Sequence, residues 1–137
     1  MDLKDSVAIA TSGLNAQSKR LRVTAENMAN ANTAARTPDA EPYRRKAITF
    51  KNELDRASGT QRVKVDKIKQ DTTTEFGRKY EPSHPGADSK GYVRTPNVNA
   101  LTEAMDMREA QNSYEANLQV VRTARGMMSS TVDLLRD

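Results

Sequence analysis

The 137 residues suffice for one domain, but with 36% hydrophobic, 4% aromatic and 29% charged side chains they exclude a large private core, and such a chain is expected to stay partly disordered until partners complete its fold. The absence of cysteine excludes disulfide staples and thiolate metal sites. The net charge of +4 is spread as +2 over residues 1–37, +1 over 38–58, +3 over 59–96 and −2 over 97–137, with short basic clusters only at Lys19-Arg20, Arg44-Arg45-Lys46 and Arg78-Lys79, so it reads as a solvated surface of mixed sign rather than a phosphate-binding stripe.

The chain opens Met1-Asp-Leu-Lys-Asp5 with no apolar run of signal-peptide length, and no later segment could span a bilayer. Direct membrane insertion is therefore not expected, and export would use a route that reads no cleaved signal. Leu3 to about Ala31 reads as a helix: Val7, Leu14, Leu21 and Met28 recur at seven, with Leu3, Ala10, Gln17, Thr24 and Ala31 at companion positions. Asn27, Asn30, Asn32 and Thr33 crowd its exit. Asparagine satisfies free carbonyls and tolerates left-handed backbone, so capping is its ordinary role there, and hydrogen bonding across a subunit boundary is the functional alternative.

Residues 35–60 begin loop-rich, with Pro38 and Pro42, before Tyr43, Ile48 and Phe50 suggest a strand on which Arg44 to Lys46 stay solvated or pair with a neighbour's acids. Val63 and Val65 alternate with Arg62, Lys64 and Asp66 as a half-buried strand, and the out-of-phase Ile68 hints at a bulge or strand end. Thr72 to Tyr80 forms a second candidate strand, with Phe76 and Tyr80 packing. From Tyr80 to Tyr92 the chemistry is that of turns. His84 is the single histidine, set between prolines, and no second histidine, cysteine, paired nucleophile or glycine-rich phosphate loop accompanies it. No catalytic, cofactor-binding or metal-binding residue is expected.

Asn97 to Asp137 carries the dominant pattern. Ala100, Met107, Tyr114, Val121, Met128 and Leu135 recur at seven, flanked by Ala104, Leu118 and Val132 on one side and Ala110 and Ala124 on the other. No proline interrupts it, Asn99 stands at a capping position, and a helix of about 36 residues would extend about 54 Å. Gln111, Asn117, Arg125 and Thr131 break the stripe, and Gly126 lies inside it. A thin stripe of small and polar residues suits close packing against several neighbours.

These readings make the fold mainly α: long N- and C-terminal helices paired as a coiled coil, with a small β-rich and loop insert between them. The segments are 1–34, 35–97 and 98–137. Leu14, Leu21 and Met28 are expected to pack on Tyr114, Val121 and Met128, with Leu118 and Leu135 extending the assembly face. Asn27, Asn30, Asn32 and Asn117 are expected to fix register through hydrogen bonds. A small basic nucleic-acid-binding helical protein is the alternative, testable by salt-sensitive retention on DNA or RNA.

Four stretches carry a resemblance: Ser12-Gly-Leu-Asn-Ala-Gln17 with Asn27-Met-Ala-Asn-Ala-Asn-Thr33; Pro42-Tyr-Arg-Arg-Lys46; Tyr80-Glu-Pro-Ser-His-Pro85 with Gly91-Tyr-Val93; and Pro96-Asn-Val-Asn99 with Tyr114-Glu-Ala-Asn117. In this order they resemble the bacterial flagellar basal-body rod proteins, with the Pro-Ser-His-Pro loop and Pro-Tyr-Arg-Arg-Lys pointing to the proximal rod. The pattern departs at Ala104-Met105, where the family more often has methionine directly after the glutamate. The resemblance implies no enzymatic activity and no cofactor. It implies terminal helices lining a tubular drive shaft in the periplasm, with Gln111, Arg125 and Gly126 facing neighbouring subunits. Its partners would be other rod proteins, copies of itself and the flagellar export apparatus, with no nucleic acid.

Overall fold

A computed structural model describes residues 2–136; Met1 and Asp137, the expected outer ends of the first and last segments, lie outside them. The elements run α1 (Leu3–Ala29), β1 (Lys46–Asp55), β2 (Thr60–Gln70), β3 (Gly77–Tyr80), β4 (Tyr92–Thr95) and α2 (Ala100–Leu134). Two long helices thus enclose a small strand insert, as the periodicities predict.

Both helices start where side chains meet the free amides of a first turn. Asp2 Oδ1 accepts the Leu3 N–H at 2.6 Å, while the Asp2 N–H donates to Asp5 Oδ2 at 3.1 Å, a reciprocal cap. Asn99 Oδ1 accepts from the Leu101 and Thr102 amides at 3.0 and 3.3 Å, the capping role its position predicts. At the α1 exit, Asn30 Nδ2 donates to the Glu26 carbonyl at 2.9 Å and closes the last turn.

The chain forms two compact units. The first gathers the residues up to 21, 49–67 and those from 108 on; the second gathers 22–48 and 68–107. In the first, α1 and α2 run antiparallel: Leu3 lines a groove with Met127, Gly13 lies against Asn117, and Arg20 pairs with Glu109 at 3.1 Å. A Cβ on Gly13 would meet Asn117 Nδ2 at 2.8 Å, so alanine here would require the Asn117 amide to shift. The buried face is built from small residues: Ala10 and Ala16 on α1, and Ala110, Val121 and Ala124 on α2.

Two expectations are corrected here. The stripe is buried only in part: Val121 is enclosed together with the flanking Ala110 and Ala124, Met107 and Tyr114 are half-buried, and Ala100 and Ala104 are exposed. Large side chains cannot sit on the line of closest approach between two helices, so small ones occupy it. The pairing of Leu14, Leu21 and Met28 with Tyr114, Val121 and Met128 rises in both helices. Residue numbers in the structure rise along α1 and fall along α2, placing Met128 beside Leu3.

β1 and β2 form a two-stranded hairpin that turns at Gly59, with φ of +68°. Lys51–Asp66, Lys64–Glu53 and Arg62–Asp55 pair at 3.2, 3.1 and 2.6 Å, so one face is a charge ladder. The hairpin is longer than expected: it takes in residues 51–55 and continues through Ile68 to Gln70. In the first unit the Val63 N–H donates to Ser12 Oγ at 3.1 Å, fastening β2 to α1.

The second unit holds β3 and β4, antiparallel from Gly77↔Thr95 to Tyr80↔Tyr92, with Val93 buried. β3 is only the end of the expected 72–80 strand. Asp71 stops it earlier by accepting the Thr73 hydroxyl and amide at 2.7 and 2.9 Å, which closes a turn. β4 was not expected: four residues leave no readable period, although the turn chemistry before them is the loop joining β3 to β4.

Candidate functional site

In the first unit, apolar side chains that the small-residue face cannot cover collect toward the end of α2. Val120, Met127, Val132, Leu134 and Leu135 are exposed, the last to 82%. Leu3, Ala116, Val120, Ala124 and Met127 help to line an open groove of about 500 Å³, and Leu3, Met128 and Val132 line another of about 240 Å³. The larger groove has no ionisable side chain in its wall. It can receive an apolar helix face, and it offers nothing that could activate a substrate.

The expected packing residues are divided by the structure. Val121 is buried; Leu14, Leu21, Tyr114 and Leu118 are half-buried; Met28, Met128 and Leu135 are exposed. Gln111, Arg125 and Gly126 are exposed, and nothing lies within 4 Å of the place a Cβ on Gly126 would take. Asn117 Nδ2 donates to the Ser113 carbonyl at 2.9 Å. Asn32 is exposed, and Asn30 accepts the Thr33 hydroxyl at 3.2 Å.

Asn27 has a different environment from its neighbours. At 1% exposure, its Nδ2 donates to the Lys46 carbonyl at 2.8 Å and to Glu103 Oε2 at 3.1 Å, while its Oδ1 accepts from the Tyr43 hydroxyl and the Lys46 amide, both at 2.9 Å. Its hydrogen bonds therefore stay inside the chain. Glu103, equally buried, pairs with Arg45 Nε, and Arg45 Nη2 reaches Asp106 at 3.4 Å. Asn97 fixes the same segment from behind: its Oδ1 accepts the Arg45 amide at 2.7 Å, and its Nδ2 donates to the Asp71 and Thr74 carbonyls at 3.0 and 3.1 Å.

This cluster corrects the reading of Arg44 to Lys46 as solvated or paired with a neighbour. Arg44 pairs with Glu41 at 3.5 Å and stacks over Phe76 at 4.3 Å; Arg45 pairs with Glu103, and Lys46 with Glu26. Tyr43, Arg45, Asn97 and Glu103 were not among the expected site residues. Pro42-Tyr-Arg-Arg-Lys46 was the available signal for two of them. Burial, with the carboxylates of Glu26 and Glu103 nearby, raises the Tyr43 phenol above its ordinary value.

Basic clusters are taken up in the same way, since Arg20 and Lys79 also pair with carboxylates, at 3.1 and 3.2 Å. His84 Nδ1 accepts the Gly86 amide at 2.9 Å, the structural loop role expected of it. Among the described residues no group of histidine, cysteine and carboxylate side chains could hold a metal ion, and no helix is long and apolar enough to cross a membrane.

Long capped helices around a small insert, with apolar grooves at their free ends, define a structural protein whose chemistry is association. Residues 8–34 match the family model described as flagella basal body rod protein, and residues 89–134 match that of the flagellar basal body rod FlgEFG protein C-terminal. The chain is 54% identical to the flagellar basal-body rod protein FlgC of Agrobacterium fabrum, over 93% of this chain and 91% of that one. It is 40% identical to FlgC of Salmonella typhimurium over 98% of each chain, and 33% identical to FlgC of Bacillus subtilis over 94% of this chain and 95% of that one. The chain belongs to the FlgC family of flagellar basal-body rod proteins. It is a structural rod subunit and not an enzyme, and nothing in its relatives favours nucleic-acid binding.

Proposed function

We propose that this subunit builds the proximal part of the rod by packing its terminal segments, 1–34 and 98–137, as a coiled coil within a tubular drive shaft, while 35–97 packs outward. The observation that carries this reading is the apolar surface at the free end of the helix pair, from Val120 through Leu135, together with the grooves beside Leu3. Burial of about 100 Å² of such surface is worth about 2.5 kcal/mol before the cost of ordering the partners, so several exposed side chains on each subunit favour association.

Leu14, Leu21, Met28, Tyr114, Leu118, Val121, Met128 and Leu135 supply the apolar packing in this reading. Gln111, Arg125 and Gly126 meet neighbouring subunits, which are other rod proteins and copies of this chain. Torque passes through repeated helix-to-helix contacts. The subunit travels through the flagellar export apparatus without a cleaved signal and assembles across the periplasm, with no nucleic acid and no inserted membrane segment. Deleting the gene in its host and imaging basal bodies tests the reading: rods should be missing or truncated and motility lost. Intact rods with normal motility would overturn it.

A further inference from the structure

We infer that the Arg45–Glu103 pair selects the alignment of α2 against the last turns of α1 and the Tyr43–Lys46 segment, rather than supplying net stability. The pair and its partners all lie in the second unit.

Three observations carry it. Glu103 is the largest fully buried side chain among the described residues, and it is charged where an apolar knob would ordinarily sit. Of the bulky apolar residues in the same turns, Leu101 and Met105 are exposed at 72% and 67% and Met107 is only half-buried, so apolar packing anchors α2 weakly here. The partners of Glu103 are directional: Arg45 Nε on one oxygen and Asn27 Nδ2 on the other, with Asn27 itself held by Lys46 and Tyr43.

Moving α2 by one turn would bring Ala100 or Met107 into this place and leave the guanidinium and carboxylate without each other. Apolar side chains accept such exchanges, because burial is non-directional. A buried ion pair does not, since its desolvation is offset only in one geometry. Replacing both members by apolar side chains of similar size removes the buried carboxylate together with its counter-charge, whereas removing Glu103 alone leaves the part-exposed guanidinium with Asp106 at 3.4 Å as its remaining carboxylate. The double variant R45M/E103L keeps the bonds of Asn27 to Lys46 and Tyr43 and, like E103L, takes the Glu103 acceptor away from Asn27 Nδ2.

The test uses the full chain, wild type, E103L and R45M/E103L, with urea unfolding and amide NMR spectra. The wild type should give one set of signals for residues 22–29, 43–48 and 100–107. E103L should unfold at lower urea. R45M/E103L, which shares with E103L the loss of the acceptor for Asn27 Nδ2, should unfold at the E103L midpoint or above it, yet show several sets of signals, or exchange broadening, over those residues. A double variant with a single set and wild-type contacts between Asn27 and position 103 would show that packing sets the alignment and overturn the inference. A double variant less stable than E103L would also overturn it, by showing the pair to be a stabilising contact.

Discussion

Asn27 fills both ends of its amide with partners 16, 19 and 76 residues away in the chain. Its place at a polar helix exit was legible in the sequence, but those partners were not, because no periodicity links residues so far apart. Replacing it by alanine strands the Lys46 amide and carbonyl and the Tyr43 hydroxyl in a part-buried site. The Asn27→Ala chain is expected to lose about 2–3 kcal/mol of unfolding free energy, measured by urea denaturation. Asp55, Asp71 and Asp88 define a second residue-scale effect. The Ala57 amide bonds Asp55, the Thr73 and Thr74 hydroxyls bond Asp71, and the Tyr92 amide bonds Asp88; each carboxyl is held below the ordinary range. Their folded pKa values lie below the unfolded value of about 4, so their contribution is fully present above that pH and is lost as pH falls below it. Thermal midpoints followed from about pH 6 to about pH 2 should decline most steeply below about pH 4, with Asp71→Asn less stable at neutral pH and flatter through the acid limb.

Helices were the readable elements, since long heptad patterns and the Asn99 cap point to one answer, whereas β4 and the turn at Asp71 depend on four-residue stretches and side-chain hydrogen bonds. What the pattern left open was how much of each position is buried: it set Val121 with Ala110 and Ala124 on α2, but period counting does not show that these small side chains are enclosed while the larger Met128 and Leu135 are exposed. The two helical glycines separate these causes. Gly126 has open space around its missing Cβ, so Gly126→Ala should favour the helical state of the end of α2 in the isolated chain by about 1 kcal/mol, the helix-propensity difference, seen as added helical circular dichroism. If Gly126 meets a neighbouring subunit closely, the same variant should impair rod assembly in the cell despite that gain. At Gly13 the new Cβ would crowd Asn117 at 2.8 Å and strain its bond to Ser113, so Gly13→Ala should show no comparable rise.

At the scale of the whole molecule, the question is whether one subunit can hold helices of 27 and 35 residues. Every described residue of α2 from Arg125 on is exposed, so this stretch has its own backbone hydrogen bonds but no buried face. A helix without tertiary packing is marginal in water, because the cost of fixing its backbone is barely met by propagation. The second unit differs, with Glu103, Asn27 and Val93 fully enclosed. Circular dichroism of the purified monomer is therefore expected to report much less helix than the two lengths require, and amide exchange should be fast over the end of α2 and slow around residues 27, 93 and 103. Helix content should rise when subunits associate, as grooves beside Leu3 and the apolar residues near Leu135 become covered. A compact monomer with full helicity and uniform protection would contradict this, and would place assembly after folding rather than making it the step that completes the helices.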